Sequence, residues 1–178
     1  GGNFIGGGDW AEDRLIPDIM RAIMEGRQVT IRNPLAIRPW QHVLEPLSGY
    51  LLLAQKLYEH GPEFAQAWNF GPNEGDVKPV QWIVEKMAAI WGGEALWQLE
   101  VGDHPYGANL LNLDSTKAQN RLDWNPRWNL EKALDVTILW HKAHSMGEDM
   151  RAIAMSQIQD FTWSNLQSHL EANINDRC

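Results

Sequence analysis

The chain has 178 residues, with 15 Lys+Arg against 23 Asp+Glu and a net charge of −8, a balance that excludes a basic, phosphate-tracking nucleic-acid binder as the ordinary reading. At 44% hydrophobic and 21% charged residues it can fill one core of a domain of roughly 100–200 residues, which excludes disorder of the whole chain. Its longest apolar run, residues 49–54, is far short of the roughly 20 residues of a membrane span, and its one cysteine, Cys178, cannot close an internal disulfide, so a cytoplasmic protein without membrane contact is expected.

Gly1-Gly2-Asn3-Phe4-Ile5 reads as the exit from a strand, running directly into Gly6-Gly7-Gly8-Asp9-Trp10, and an opening of this kind is expected of the C-terminal segment of a longer protein. Residues 15–25 predict a helix, with Pro17 in its first turn, Ile16, Ile19, Met20 and Ile23 at helical spacing, and Gly26 as its stop. Val29-Thr30-Ile31 and Ala36-Ile37 are β-rich runs around the turn pair Asn33-Pro34 and predict a small hairpin or two edge strands. Over 45–59 the apolar residues Leu47, Tyr50, Leu51, Ala54, Leu57 and Tyr58 recur at three and four, and His60-Gly61-Pro62 ends that helix. Residues 67–70 read as a short buried strand, 80–91 as a helix closed by Gly92-Gly93, and 96–101 as a further strand. Asp114-Ser115 can cap a helix to about Leu122, Asn129 caps another over 130–145, and a last one runs over 149–169, with 166–178 expected to fray. Helices interleaved with short strands predict an α/β fold.

The candidate chemistry is sparse. Gly6-Gly7-Gly8 has neither the GxGxxG spacing nor the GK[ST] end of a phosphate loop, so a tight turn and a close backbone approach to a ligand both stay open. Arg14, Arg32 and Arg38 fall in predicted loops or strand ends near those glycines, where each could be a solvated charge or a phosphate partner. His141 and His144 lie three apart on a helix without a third ligand, so no metal is expected. There is no Gly-x-Ser-x-Gly elbow to support hydrolysis. Trp82, Trp91, Trp124, Trp128 and Trp140 read as core, while Trp10 and Trp40 stand beside the Gly-rich and Arg-rich segments as core or pocket wall.

The order of segments carries more than any one of them. Asn3-Phe4-Ile5-Gly6-Gly7-Gly8-Asp9-Trp10, Arg14-Leu15-Ile16-Pro17, Ile31-Arg32-Asn33-Pro34, Arg38-Pro39-Trp40-Gln41-His42-Val43, Trp68-Asn69-Phe70-Gly71-Pro72 and Leu122-Asp123-Trp124-Asn125-Pro126 together resemble the C-terminal half of the nucleotide-sugar dehydratase/epimerase family of extended short-chain dehydrogenases. Within it they are most similar to the branch that takes CDP-glucose. The resemblance implies the substrate-binding part, 1–178, of a Rossmann-like enzyme that uses NAD. In the family NAD⁺ accepts a hydride from C4 of the hexose, water leaves across C5–C6 and the hydride returns to C6, giving a 4-keto-6-deoxy sugar nucleotide for deoxysugar and O-antigen synthesis. It also implies a homo-oligomer for the complete enzyme, no metal, and an NAD site mostly in an N-terminal portion. No Tyr-x-x-x-Lys pair occurs here, since Tyr50, Tyr58 and Tyr106 are followed four positions on by Ala54, Pro62 and Leu110. By motif position Asn3 and Arg38 would hold the sugar diphosphate, Arg14, Leu15, Ile16 and Pro17 would lie beside the nucleotide, and Arg32 would flank the base. His104 belongs to a loop, 103–109, that matches the family loop near ribose and diphosphate, although Tyr106-Gly107 stands where the CDP-glucose branch carries His-Glu. The other readings are a dehydratase or epimerase for another nucleotide sugar, and a non-catalytic binding or assembly module.

Overall fold

The computed structural model describes residues 3–93, 97–100 and 111–175. Strands β1 (Asn3–Ile5), β2 (Val29–Ile31), β3 (Ile37–Arg38), β4 (Trp40–His42), β5 (Lys78–Pro79) and β6 (Trp97–Leu99) are interleaved with helices α1 (Leu15–Met24), α2 (Leu44–His60), α3 (Val80–Trp91), α4 (Thr116–Leu122), α5 (Leu130–Ser145) and α6 (Met150–Asn175). The fold is α/β, as the alternation predicts. β1 runs parallel to β4 with Asn3 opposite Trp40, β2 runs parallel to β6 with Val29 opposite Trp97, and β3 is antiparallel to β5.

The runs at 29–31 and 36–37 are therefore not partners in a hairpin. Each pairs with a strand much later in the chain, so they are the two separate strands of the alternative expectation. Trp40–His42, with all three residues buried, has no alternation to mark it and is missed by the pattern. Residues 67–70 join no ladder; Phe70 is buried and its carbonyl accepts instead from the Gln41 side chain at 2.7 Å.

Helix boundaries follow the expected signals. α1 stops where Gly26 adopts φ +65°, and Asn129 Oδ1 accepts the Lys132 N–H at 2.9 Å at the start of α5. Before α4, Asp114 Oδ1 accepts from Thr116 N at 2.9 Å, while the Ser115 hydroxyl turns away and accepts from Gly71 N at 2.8 Å. Asp149 opens α6, whose backbone stays helical to Asn175 across most of the stretch expected to fray.

The main core gathers Ile19 and Met20 of α1, Ile31 of β2, Ile83 and Met87 of α3, and Leu134 and Ile138 of α5. A second cluster joins Phe64, Phe70, Leu122 and Trp124, and a third joins Trp128, Val136 and Phe161. α2 has the predicted boundaries but its apolar stripe faces outward, with Leu51 74% and Tyr58 93% exposed. What it buries is the side carrying Glu45, Pro46 and Gly49. Among the described residues no helix is long and apolar enough to cross a membrane.

Candidate functional site

A cavity of about 940 Å³ opens between β1, the start of α1, β2 and β3, within the size range of small-molecule sites. The same local features that shape these elements deliver the lining. β1 brings in Asn3, whose N–H donates to Pro39 O at 3.1 Å and so sits beside the β3–β4 junction that carries Arg38. Gly8, at φ +82°, turns the chain after β1. Asp13, at φ 59°, turns it again into α1. Arg21 donates to the carbonyls of Trp10 and Ala11 and pairs with Asp18, fixing the connecting segment against α1.

Asn3, Arg14, Leu15, Ile16, Pro17, Arg32 and Arg38, named from the sequence, all line this one cavity, whereas His104 lies outside the described residues. Leu15, Ile16 and Pro17 form the first turn of α1 and supply an apolar wall. The N–H groups of Leu15 and Ile16 precede the helix ladder and point to the helix start, where an anion is favoured. Trp40 joins the wall; Trp10 does not, and packs instead against Trp140, His141 and His144 with ring centroids 6.3, 5.0 and 5.2 Å away.

The sequence reading missed the carboxylates. The lining holds five arginines against four acids, Asp9, Asp13, Asp18 and Glu100. Arg14 pairs with Asp9 at 3.2 Å, and Arg32 donates through Nε to Glu100 at 2.8 Å and reaches Asp13 at 3.4 Å. The bond and charge of Glu100 push the Arg32 guanidinium up from its ordinary value. Arg27 pairs with Glu25. Arg38 differs: it donates to the Ile37 carbonyl at 2.8 Å and has no carboxylate partner among the described residues. Nothing in local periodicity points to Glu100, because its place depends on β6 pairing with β2 across 68 residues of sequence.

Two histidines are buried without satisfied rings. His42 Nε2 and both nitrogens of His141 have no hydrogen-bond partner among the described residues. Burial pushes His42 down to about 4, and burial, followed by the nearby His144, pushes His141 down to about 4. The unfolded chain takes up these protons near pH 6.5, before the folded chain does, so each group's contribution is intact above about 6.5 and is lost as pH falls toward 4. The loss is about 2 kcal/mol each. Thermal melts at pH 7.5 and 4.5 should show His141→Phe losing less stability on acidification than the wild type. Equal losses would mean that His141 is protonated in the folded state. Among the described residues no cluster of three or more His, Cys, Asp or Glu could hold a metal ion.

No family model matches the chain. Over 160 residues, 90% of its length, it is 53% identical to CDP-glucose 4,6-dehydratase of Salmonella typhimurium, of which it spans 45%. Its fold superposes on dTDP-glucose 4,6-dehydratase of Bacillus anthracis in complex with NAD, with a TM-score of 0.65 and 22% identity over 79% of this chain and 42% of that one. It also superposes on UDP-glucuronic acid 4-epimerase of Bacillus cereus in complex with UDP-glucuronic acid and NAD, with a TM-score of 0.68 and 17% identity over 79% and 43% of the two chains. The chain thus spans less than half the length of each of these three relatives.

Proposed function

We propose, from the chain's homology to a sugar-nucleotide 4,6-dehydratase and its extended short-chain dehydrogenase fold as the premise, that it is the substrate-binding portion of an NAD-dependent lyase acting on CDP-glucose. The observation that carries this reading is Arg38. It is half-buried in a large cavity, lies next to Pro39, whose carbonyl accepts the Asn3 N–H, and lacks, among the described residues, the carboxylate partner that its neighbouring arginines have.

In this reading Arg38 donates both arms of its guanidinium to a diphosphate and Asn3 adds an amide N–H. The free N–H groups at the start of α1 favour the same negative charge. Leu15, Ile16, Pro17 and Trp40 exclude water from one side of the ligand, and Arg32 offers a planar face to the base. The work of this chain is thus binding and orientation, which set the reacting sugar against groups it does not itself contain. Hydride transfer in the complete enzyme would be supplied by NAD, and the glycine turn after β1 does not fit that group. The glycine turn after β1 is closed over by Trp140, whose ring occupies the position a Cβ on Gly7 would take, so its backbone is not open to a dinucleotide. A cytoplasmic location, and a homo-oligomer for the complete enzyme, belong to the same proposal.

Titration of CDP-glucose against wild type, Arg38→Ala and Arg38→Lys tests it. The alanine variant should bind roughly 10- to 100-fold more weakly, the loss of a charge-assisted bidentate contact of about 1.5–3 kcal/mol. Lysine should recover part of this, keeping the charge without the fork. Equal affinities would remove Arg38 from the site and with it the main support for the reading.

A further inference from the structure

The turn that follows β1 forms part of the cavity wall without side chains to anchor it. Its centre is Gly6-Gly7-Gly8, and the residues at its two ends, Gly6 and Asp9, line the cavity. Trp140 of α5 is not part of that lining and stands behind the turn. A Cβ at Gly7 would overlap the root of the Trp140 ring, and one at Gly8 would lie 3.5 Å from its Cζ2, so both backbones rest on the indole. That support is itself fixed. The Trp140 ring stacks on His144 with centroids 5.4 Å apart and meets His141 edge-on at 5.3 Å. Trp10, next after Asp9, packs against the same two imidazoles at 5.0 and 5.2 Å.

One carboxylate connects the turn to a cation of the cavity. Asp9 Oδ1 accepts from Ala11 N at 3.1 Å, which orients the carboxyl group, and its Oδ2 accepts from Arg14 Nη1 at 3.2 Å. The position of the turn therefore sets the direction of the Arg14 guanidinium, and the remaining N–H groups of that fork are donors for a ligand. Arg14 is 66% exposed, so the pair with Asp9 adds little to stability. Its effect is to order a long side chain before a ligand arrives, which removes part of the entropy cost of binding. Arg38 is independent of these contacts, since it belongs to β3 and is held by the Ile37 carbonyl.

We infer that Trp140 is a positioning residue of the ligand site: without touching the ligand it seats the glycine turn, and the turn, through Asp9, holds Arg14 in one orientation at the cavity. This rests on the nucleotide-sugar reading above and adds to it a residue from outside the cavity. The contribution of Trp140 to affinity passes through Arg14, so the two residues are energetically coupled in binding, while Trp140 and Arg38 act independently.

Calorimetric titration of the 178-residue chain with CDP-glucose tests the coupling, with Trp140→Leu made alone, with Arg14→Ala and with Arg38→Ala. Alone, Trp140→Leu should weaken binding roughly three- to tenfold. Trp140→Phe, which keeps a ring under the glycines, should lose less. In the Arg14→Ala background the leucine should change nothing further, whereas in the Arg38→Ala background it should weaken binding by the same factor as when made alone. A merely structural role would loosen the chain everywhere and give one factor in all three backgrounds, which overturns the inference. Wild-type affinity in Trp140→Leu, or in Arg14→Ala, also overturns it, and each of these results leaves the nucleotide-sugar reading standing. Trp140 is only half-buried, and if Trp140→Leu nevertheless lacks a cooperative melt, Trp140→Phe is carried through the same backgrounds under the same criteria. A wild type that does not bind CDP-glucose overturns the nucleotide-sugar reading and the inference with it.

Discussion

Gly7→Ala is expected to destabilise the chain by about 2–3 kcal/mol, the range of overpacking in a closed site. A Cβ at Gly7 would overlap the Cγ, Cδ1 and Cδ2 atoms of Trp140, the root of the ring rather than its mobile rim. Trp140 cannot simply step aside. It stacks on His144 with centroids 5.4 Å apart and 11° between planes, and meets Trp10 and His141 on its other sides. If this overlap is the whole cause, adding Gly7→Ala to a Trp140→Ala background should cost within about 0.5 kcal/mol of nothing, a strongly non-additive cycle. Urea unfolding of the four proteins measures it. Additive losses would show that the glycine is required by its backbone instead.

Glu45→Ala should be costlier still, about 3–5 kcal/mol, because it strands buried donors. Glu45 is fully buried in the first turn of α2. Its Oε1 accepts from Trp128 N at 2.7 Å and from Arg127 N at 3.1 Å, and its Oε2 also accepts from Arg127 N at 3.1 Å. One carboxyl group thus ties α2 to the turn between α4 and α5. Burial pushes it up to about 7, against the opposing pull of those N–H groups and of the Arg127 charge. The folded chain therefore holds this proton up to about pH 7 while the unfolded chain releases it near 4.5. That contribution is complete below about 4.5 and is lost as pH rises through 7. The stability of wild type relative to Glu45→Gln, which keeps one acceptor without the charge, should accordingly fall by about 2 kcal/mol between pH 5 and 8. Chemical denaturation across that range reads the difference, and a difference that stays flat from pH 5 to 8 would show a carboxylate already charged in the folded state at pH 5.

Elements whose signals are local are legible in the sequence. α1, α3, α4 and α5 follow from apolar spacing, from Gly26 and Gly92 as stops and from Asn129 as a cap, since these act within one or two helical turns. Motif order was enough to name Asn3, Arg14, Leu15, Ile16, Pro17, Arg32 and Arg38, but it could not say that they share a cavity, which is decided where β1, β2 and β3 converge. Strand partners were illegible because strands of two or three residues carry too little alternation, so a hairpin between 29–31 and 36–37 looked as good as the observed pairing with β6 and β5. For α2, periodicity predicts the helix while its stripe faces outward, because the buried side is chosen by a carboxylate seeking the N–H groups of Arg127 and Trp128 and by a glycine over which the Phe70 ring closes. Glu100 is the extreme case. Its neighbour Arg32 stands 68 positions away in sequence, and only the β2–β6 ladder, a nonlocal contact formed after the loop between them has closed, brings the acceptor and the donors side by side.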